Sequence, residues 1–197
     1  MAQARVKARR PSFLGGERFA VFAECLLTGV WIAVASLGIV TYPAAFAAGA
    51  RHLRRRIGHE GGGLGEFVED FRTAVRRGWV VGLAGWAVAA AVWVDVLAAR
   101  AGVPGGPFVG AVGLFALIVL VVALLRAAAV WAPGASWRAL LAGAGRRTVL
   151  DPAGSFLLVG GLGVVALSAL VVAPLAVPVL GAVAAAAVAV EERYRHR

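Results

Sequence analysis

Polar and apolar positions fall along this chain in long blocks rather than short alternations. A polar opening, MAQARVKARRPSFLGGER, gives way to an apolar run from Phe19 to Val40. Further apolar runs cover Trp79–Ala99, Phe108–Leu125, Phe156–Val172 and Leu175–Val190. Runs that approach or exceed roughly 18 apolar residues have the length an α-helix needs to cross a bilayer. Two shorter segments carry a helical period instead. Glu66–Arg77 sets Phe67, Phe71, Ala74 and Val75 on one face, and Ser136 offers an N-cap before Trp137, Leu140 and Leu141. The pattern predicts an all-α, polytopic helical membrane protein. It has about five full spans, one short or re-entrant helix and amphipathic interfacial helices. Residues 17–190 read as one transmembrane domain between a basic cytoplasmic arm, 1–16, and a polar tail, 191–197.

The pattern is interrupted at Thr41, Tyr42 and Pro43. Proline disfavours the α conformation in the residue before it and lacks a backbone donor, so a helix break is expected here. Residues 44–50 are too few to span alone, and Arg51, Arg54, Arg55 and Arg56 follow. The segment from Pro43 to Ile57 is therefore expected to return as a short or re-entrant helix with its arginines at the cytoplasmic interface.

Composition sharpens the membrane reading. Apolar residues make up 61% of the chain and charged residues only 15%, too little polar surface for a soluble domain. The net charge of +10 would suggest nucleic acid in a soluble protein. Here the basic residues flank apolar runs, and no nucleic-acid motif accompanies them. All Lys and Arg except Arg100 fall in 1–18, 51–77, 126–154 and 191–197. The positive-inside rule makes these segments cytoplasmic, with both termini inside. The first apolar run is longer than a signal-peptide core and reads as a retained anchor. The lone Cys25 allows no internal disulfide. Paired arginines, Arg76-Arg77 and Arg146-Arg147, each precede an apolar hairpin and give the halves a weak likeness.

Candidate chemistry is sparse. Glu24 and Asp95 are carboxylates within apolar runs, where ionisable groups are costly and often functional. Both also fit bland roles, as a hydrogen-bonded or ion-paired group near an interface and a wetted helix end. His52, His59 and His196 lie in polar segments and lack a third ligand for a metal. The Gly-rich stretch after Gly58 lacks the Lys-Ser/Thr of a phosphate loop. No catalytic group, cofactor or metal is expected. Trp79, Trp131 and Trp137 are expected as interface anchors. The face of Phe67, Phe71, Arg72, Arg76 and Arg77 reads either as an interfacial helix lying on the membrane or as a docking surface for a partner.

The first half carries a more specific pattern. Thr41 and Pro43 at the helix exit are followed by Ala44-Ala45-Phe46-Ala47-Ala48 and the basic patch Arg51–Arg56. Phe67 and Phe71 then stand ahead of Arg76-Arg77. On these residues the stretch 17–80 resembles the YesL-like family of uncharacterised bacterial integral membrane proteins. The resemblance implies a bacterial cytoplasmic membrane. It also implies a non-enzymatic accessory role beside carbohydrate importers of the ATP-binding cassette (ABC) type. The family offers no catalytic residues to transfer. The alternative is a small-solute transporter with Glu24 and the Thr41–Pro43 break lining its path. The expected partners are the lipid bilayer and ABC-type importer subunits, with no nucleic acid. A homo-oligomer is neither required nor excluded by the sequence.

Overall fold

The computed structural model describes residues 13–58 and 60–196. Most of the basic arm and His59 lie outside the described residues. Seven α-helices are present among the described residues, with no strand: α1 (Phe13–Ala35), α2 (Tyr42–Ile57), α3 (Leu64–Arg100), α4 (Gly106–Ala129), α5 (Trp137–Leu150), α6 (Pro152–Val171) and α7 (Ala173–Arg195). Four of them, α3, α4, α6 and α7, are long and apolar enough to cross a membrane. By helix length and hydropathy the chain is a candidate multi-pass helical membrane protein. The apolar part of α1, Phe22–Gly38, is shorter.

The connection from α1 to α2 is a tight reversal. A 3₁₀ turn, Ser36–Gly38, leads into Ile39, which holds φ 58 and ψ −54. The Val40 amide donates to the Gly38 carbonyl at 2.6 Å. This is a γ-turn of the strained, positive-φ kind, an unusual place for a β-branched residue. Surrounding groups hold it. The Thr41 hydroxyl donates back to the Ala35 carbonyl at 2.6 Å, and the Trp86 indole donates to the Ile39 carbonyl at 3.0 Å. Irregular backbone among apolar helices needs such partners because lipid supplies none. Pro43 stands in the first turn of α2, where its missing donor costs nothing.

Helix α2 is the centre of the bundle. Every residue from Pro43 to Ala50 is buried, enclosed by α1, α3, α4 and α7. Its small side chains let neighbours approach closely. A Cβ on Gly82 of α3 would collide with the Val40 carbonyl, and one on Gly85 with the Tyr42 hydroxyl. Across the molecule Gly29 and Gly181 bring α1 and α7 together in the same way.

Several expectations change, beginning with the span count, which is four long apolar helices rather than about five. The amphipathic segment Glu66–Arg77 and the apolar run from Trp79 are not separate helices. They form one continuous helix of 37 residues, about 55 Å long at ~1.5 Å per residue. Gly78 does not break it, because that position lies flat against the Trp137 indole. Trp131 and Trp137 are also not interface anchors: they are 2% and 5% exposed, inside the core. Trp137 caps the seam between α3 and α5, donating to the Ala74 carbonyl at 3.4 Å. Only Trp79 of that trio stands exposed. The likeness of the two halves is limited as well, since α5 and α6 are separate helices that part at Asp151.

Candidate functional site

The charged side chains of the bundle gather into two networks at one end. The first is built on the last two turns of α2. Arg51, His52, Arg54, Arg55 and Arg56 reach to α1, α3 and the α4–α5 connection. His52 Nε2 lies 2.7 Å from Glu24 Oε1 on α1, and Arg56 Nε donates to the same oxygen at 3.0 Å. Arg51 and Arg55 each approach Asp70 of α3, at 3.0 and 3.2 Å. Those two are contacts between charges rather than aligned hydrogen bonds. Arg54 donates to the Trp131 carbonyl in the α4–α5 connection. Burial, with the nearby Arg195 and Arg51 charges, pushes the Arg54 guanidinium down to about 10, so it stays charged at neutral pH. The His52 ring is closed from solvent and meets Trp31 edge-on with centroids 5.0 Å apart.

The second network is more deeply buried. Arg126, near the end of α4, has no exposed surface. Its Nη2 donates to Asp151 Oδ2 at 3.0 Å and to the Asp151 carbonyl at 3.1 Å, and its Nη1 donates to Glu191 Oε1 at 3.1 Å. Arg147 of α5 reaches Glu191 Oε2 at 2.9 Å, and Arg193 of α7 reaches Asp151 Oδ1 at 3.3 Å. One guanidinium thereby ties α4 to the α5–α6 corner and to α7. Asp151 also caps α6, accepting from the Gly154 amide at 3.3 Å. Burial works against ionisation of Asp151. The hydrogen bonds from Arg126 and Gly154, and the charges of Arg126 and Arg193, outweigh it and hold the carboxyl below its ordinary value.

Above these networks lies an apolar cavity of about 270 Å³. Tyr42 and Pro43 of the helix break line it, with Phe46, Val121, Leu124 and Leu180 among the other walls. Glu24 does not reach it. The other sequence candidates fall elsewhere. Asp95 sits on the far part of α3, beside Gly113 of α4. Phe67 is 4% exposed and packs against Trp31 at 5.4 Å, while Phe71 lies against the core. Both aromatic rings face the interior, and Arg72, Arg76 and Arg77 remain exposed. No group of three His, Cys, Asp or Glu gathers in metal-binding range among the described residues.

Arg126, Asp151 and Glu191 were not marked out by the sequence as a group. Single clues existed: an arginine ending an apolar run, an Asp-Pro at a helix start, and a carboxylate ending the last run. Nothing local joins them. No protein-family model, curated protein or solved structure compared with the chain matches it.

Proposed function

We propose that this protein is a four-span component of a bacterial cytoplasmic membrane in which α1 and α2 form a re-entrant hairpin. The basic end of the bundle is cytoplasmic and serves as a non-enzymatic docking platform. The observation that carries the topology is the Trp86–Ile39 hydrogen bond. The apolar part of α3 starts at Trp79, so Trp86 lies about 10 Å into it at ~1.5 Å per residue. From Trp86 to Ala99 the same helix runs on for about 20 Å. A turn held at Trp86 stops well short of the opposite face. On this reading α1 enters and α2 leaves on the same side, and the four long helices alone satisfy the positive-inside rule. No crossing by α2 is needed.

The docking role is supported by the charges left over. Glu24, Asp70, Asp151 and Glu191 are all engaged inside the bundle. Arg72, Arg76 and Arg77 are exposed and make no ion pair among the described residues. They form a cationic face on a rigid helix, suited to an acidic surface of a partner. The identity of that partner, a carbohydrate importer of the ABC type, rests on the resemblance of residues 17–80 to the YesL-like family. Copurification in mild detergent tests it. Importer subunits are expected with the wild type and lost with Arg72→Glu and Arg76→Glu. Their absence from the wild-type preparation overturns the docking role.

A further inference from the structure

Beside the docking face, α3 and the start of α5 enclose a cleft of about 440 Å³. Its walls differ sharply in chemistry. Arg77 of α3 and Arg138 of α5 both line it, together with Ser136 at the start of α5. The floor is Val80, Val81, Trp137 and Leu141. A second, smaller cleft, lined also by Arg76, adjoins it at Arg77 and Trp137. Arg77 and Arg138 are exposed, and neither makes an ion pair among the described residues.

We infer that this cleft binds an anionic phospholipid. The inference rests on the membrane reading above and not on the docking role. Three features converge on this ligand. First, Arg77 and Arg138 both line the cleft and no carboxylate does, the charge balance a phosphate requires. The α5 N-terminus adds to the positive field, because the Ser136 side chain does not cap it and the first amides of α5 are open to an acceptor. Second, the apolar floor runs on from the arginines towards the lipid-facing side of α3, where Val80, Leu83 and Trp86 are exposed. An acyl chain leaving the cleft continues along that surface. Third, the cleft sits at the junction of the polar and apolar parts of α3, between Arg77 and Val80. That is the level of lipid phosphates on the basic side of a bilayer. Basic pockets between helices at this level are the recognised setting for anionic headgroups. A soluble phosphate would use the arginines but leave the apolar floor unused.

Lipid titration of the detergent-purified full chain, read by native mass spectrometry, tests this. Phosphatidylglycerol and phosphatidylcholine with identical acyl chains are the probes, with glycerol phosphate as the headgroup lacking chains. The wild type is expected to retain phosphatidylglycerol about tenfold better than phosphatidylcholine. Arg77→Gln with Arg138→Gln is expected to abolish that preference. Arg100→Gln with Arg146→Gln removes the same charge elsewhere and is expected to preserve it. Leu141→Ser is expected to weaken both lipids while keeping the ratio. Equal retention of both lipids by the wild type overturns the inference, as does a preference that survives loss of Arg77 and Arg138 or falls equally in the control pair. Glycerol phosphate competing as well as the lipid overturns the acyl-chain part. Failure of the membrane reading would look different, as a chain that stays dispersed without detergent.

Discussion

The guanidinium of Arg126 and the carboxylate of Asp151 meet at 3.0 Å with both side chains shut away from solvent. Glu191 closes the group from the other side. Taking such charges out of water costs several kcal/mol per ion. The arrangement persists because each partner stabilises the charge of the others. It therefore acts less as a source of net stability than as a constraint that fixes α4, the α5–α6 corner and α7 in one arrangement.

Removing Arg126 takes from Asp151 and Glu191 their one fully buried partner and leaves them only the partly exposed Arg193 and Arg147. Arg126→Ala is expected to destabilise the bundle by about 3–5 kcal/mol. Arg126→Met combined with Asp151→Asn and Glu191→Gln removes the three buried charges and leaves only Arg147 and Arg193, both partly exposed to water, so it is expected to be milder. Thermal unfolding in detergent gives the comparison. A triple variant worse than Arg126→Ala would contradict the account of this network.

The pH dependence follows from the sign of the Asp151 shift. Its carboxyl is held below its ordinary value in the folded protein. A depressed folded value contributes stability that is fully present above the unfolded value of ~3.9. That contribution is lost as pH falls through the lower folded value. Melting temperature is therefore expected to lose no Asp151 contribution between pH 7 and about 4 and to lose it below that range. Asp151→Asn should flatten this acid limb. A network contribution already lost at pH 5 to 6 in the wild type alone would count against it.

Close helix approach makes a third prediction. Gly82→Val forces a side chain into the Val40 carbonyl and is expected to cost about 1–3 kcal/mol. A Cβ added at Gly163 of α6 would meet open space, so Gly163→Ala is expected to be neutral or slightly stabilising. Unfolding midpoints of the two variants, measured side by side, separate packing from helix propensity.

The γ-turn offers the opposite case. Ile39 holds a positive φ that a β-branched residue adopts at a cost of about 1–3 kcal/mol. Its side chain is 62% exposed, so little packing is lost on truncation. Ile39→Gly is expected to raise the melting temperature. A clear drop would mean that the Ile39 side chain contributes more than its backbone strain removes.

What the sequence disclosed follows from the range over which its signals act. Long apolar runs are local, so α4, α6 and α7 were legible within about five residues, whereas for α3 only the part from Trp79 on was recognised as a span and the start from Leu64 was read as a separate helix. The basic end was legible from charge alone. Interior placement was not, because it depends on partners far along the chain. Phe67 looked like an outward anchor until Trp31 was found beside it. Trp137 looked like an interface anchor until its indole was found against Gly78 of α3. The arginines of α2 looked like interface residues, yet Glu24 and Asp70 meet them inside the bundle. Arg126 shows this most sharply. Its partners Asp151 and Glu191 lie 25 and 65 residues away, and no periodicity connects them.

The central claim is that the α1–α2 turn lies within the membrane on the cytoplasmic side of its midplane. Single cysteines at Leu37 and at Val103, introduced on a Cys25→Ala background, test it directly in intact cells with a membrane-impermeant maleimide. Leu37 is 78% and Val103 49% exposed on the protein itself, so the bilayer decides access. Val103, in the turn between α3 and α4, is expected to label rapidly from outside, and Leu37 not at all. Labelling of Leu37 as fast as Val103 would mean that α1 crosses the bilayer, and the re-entrant hairpin would be wrong.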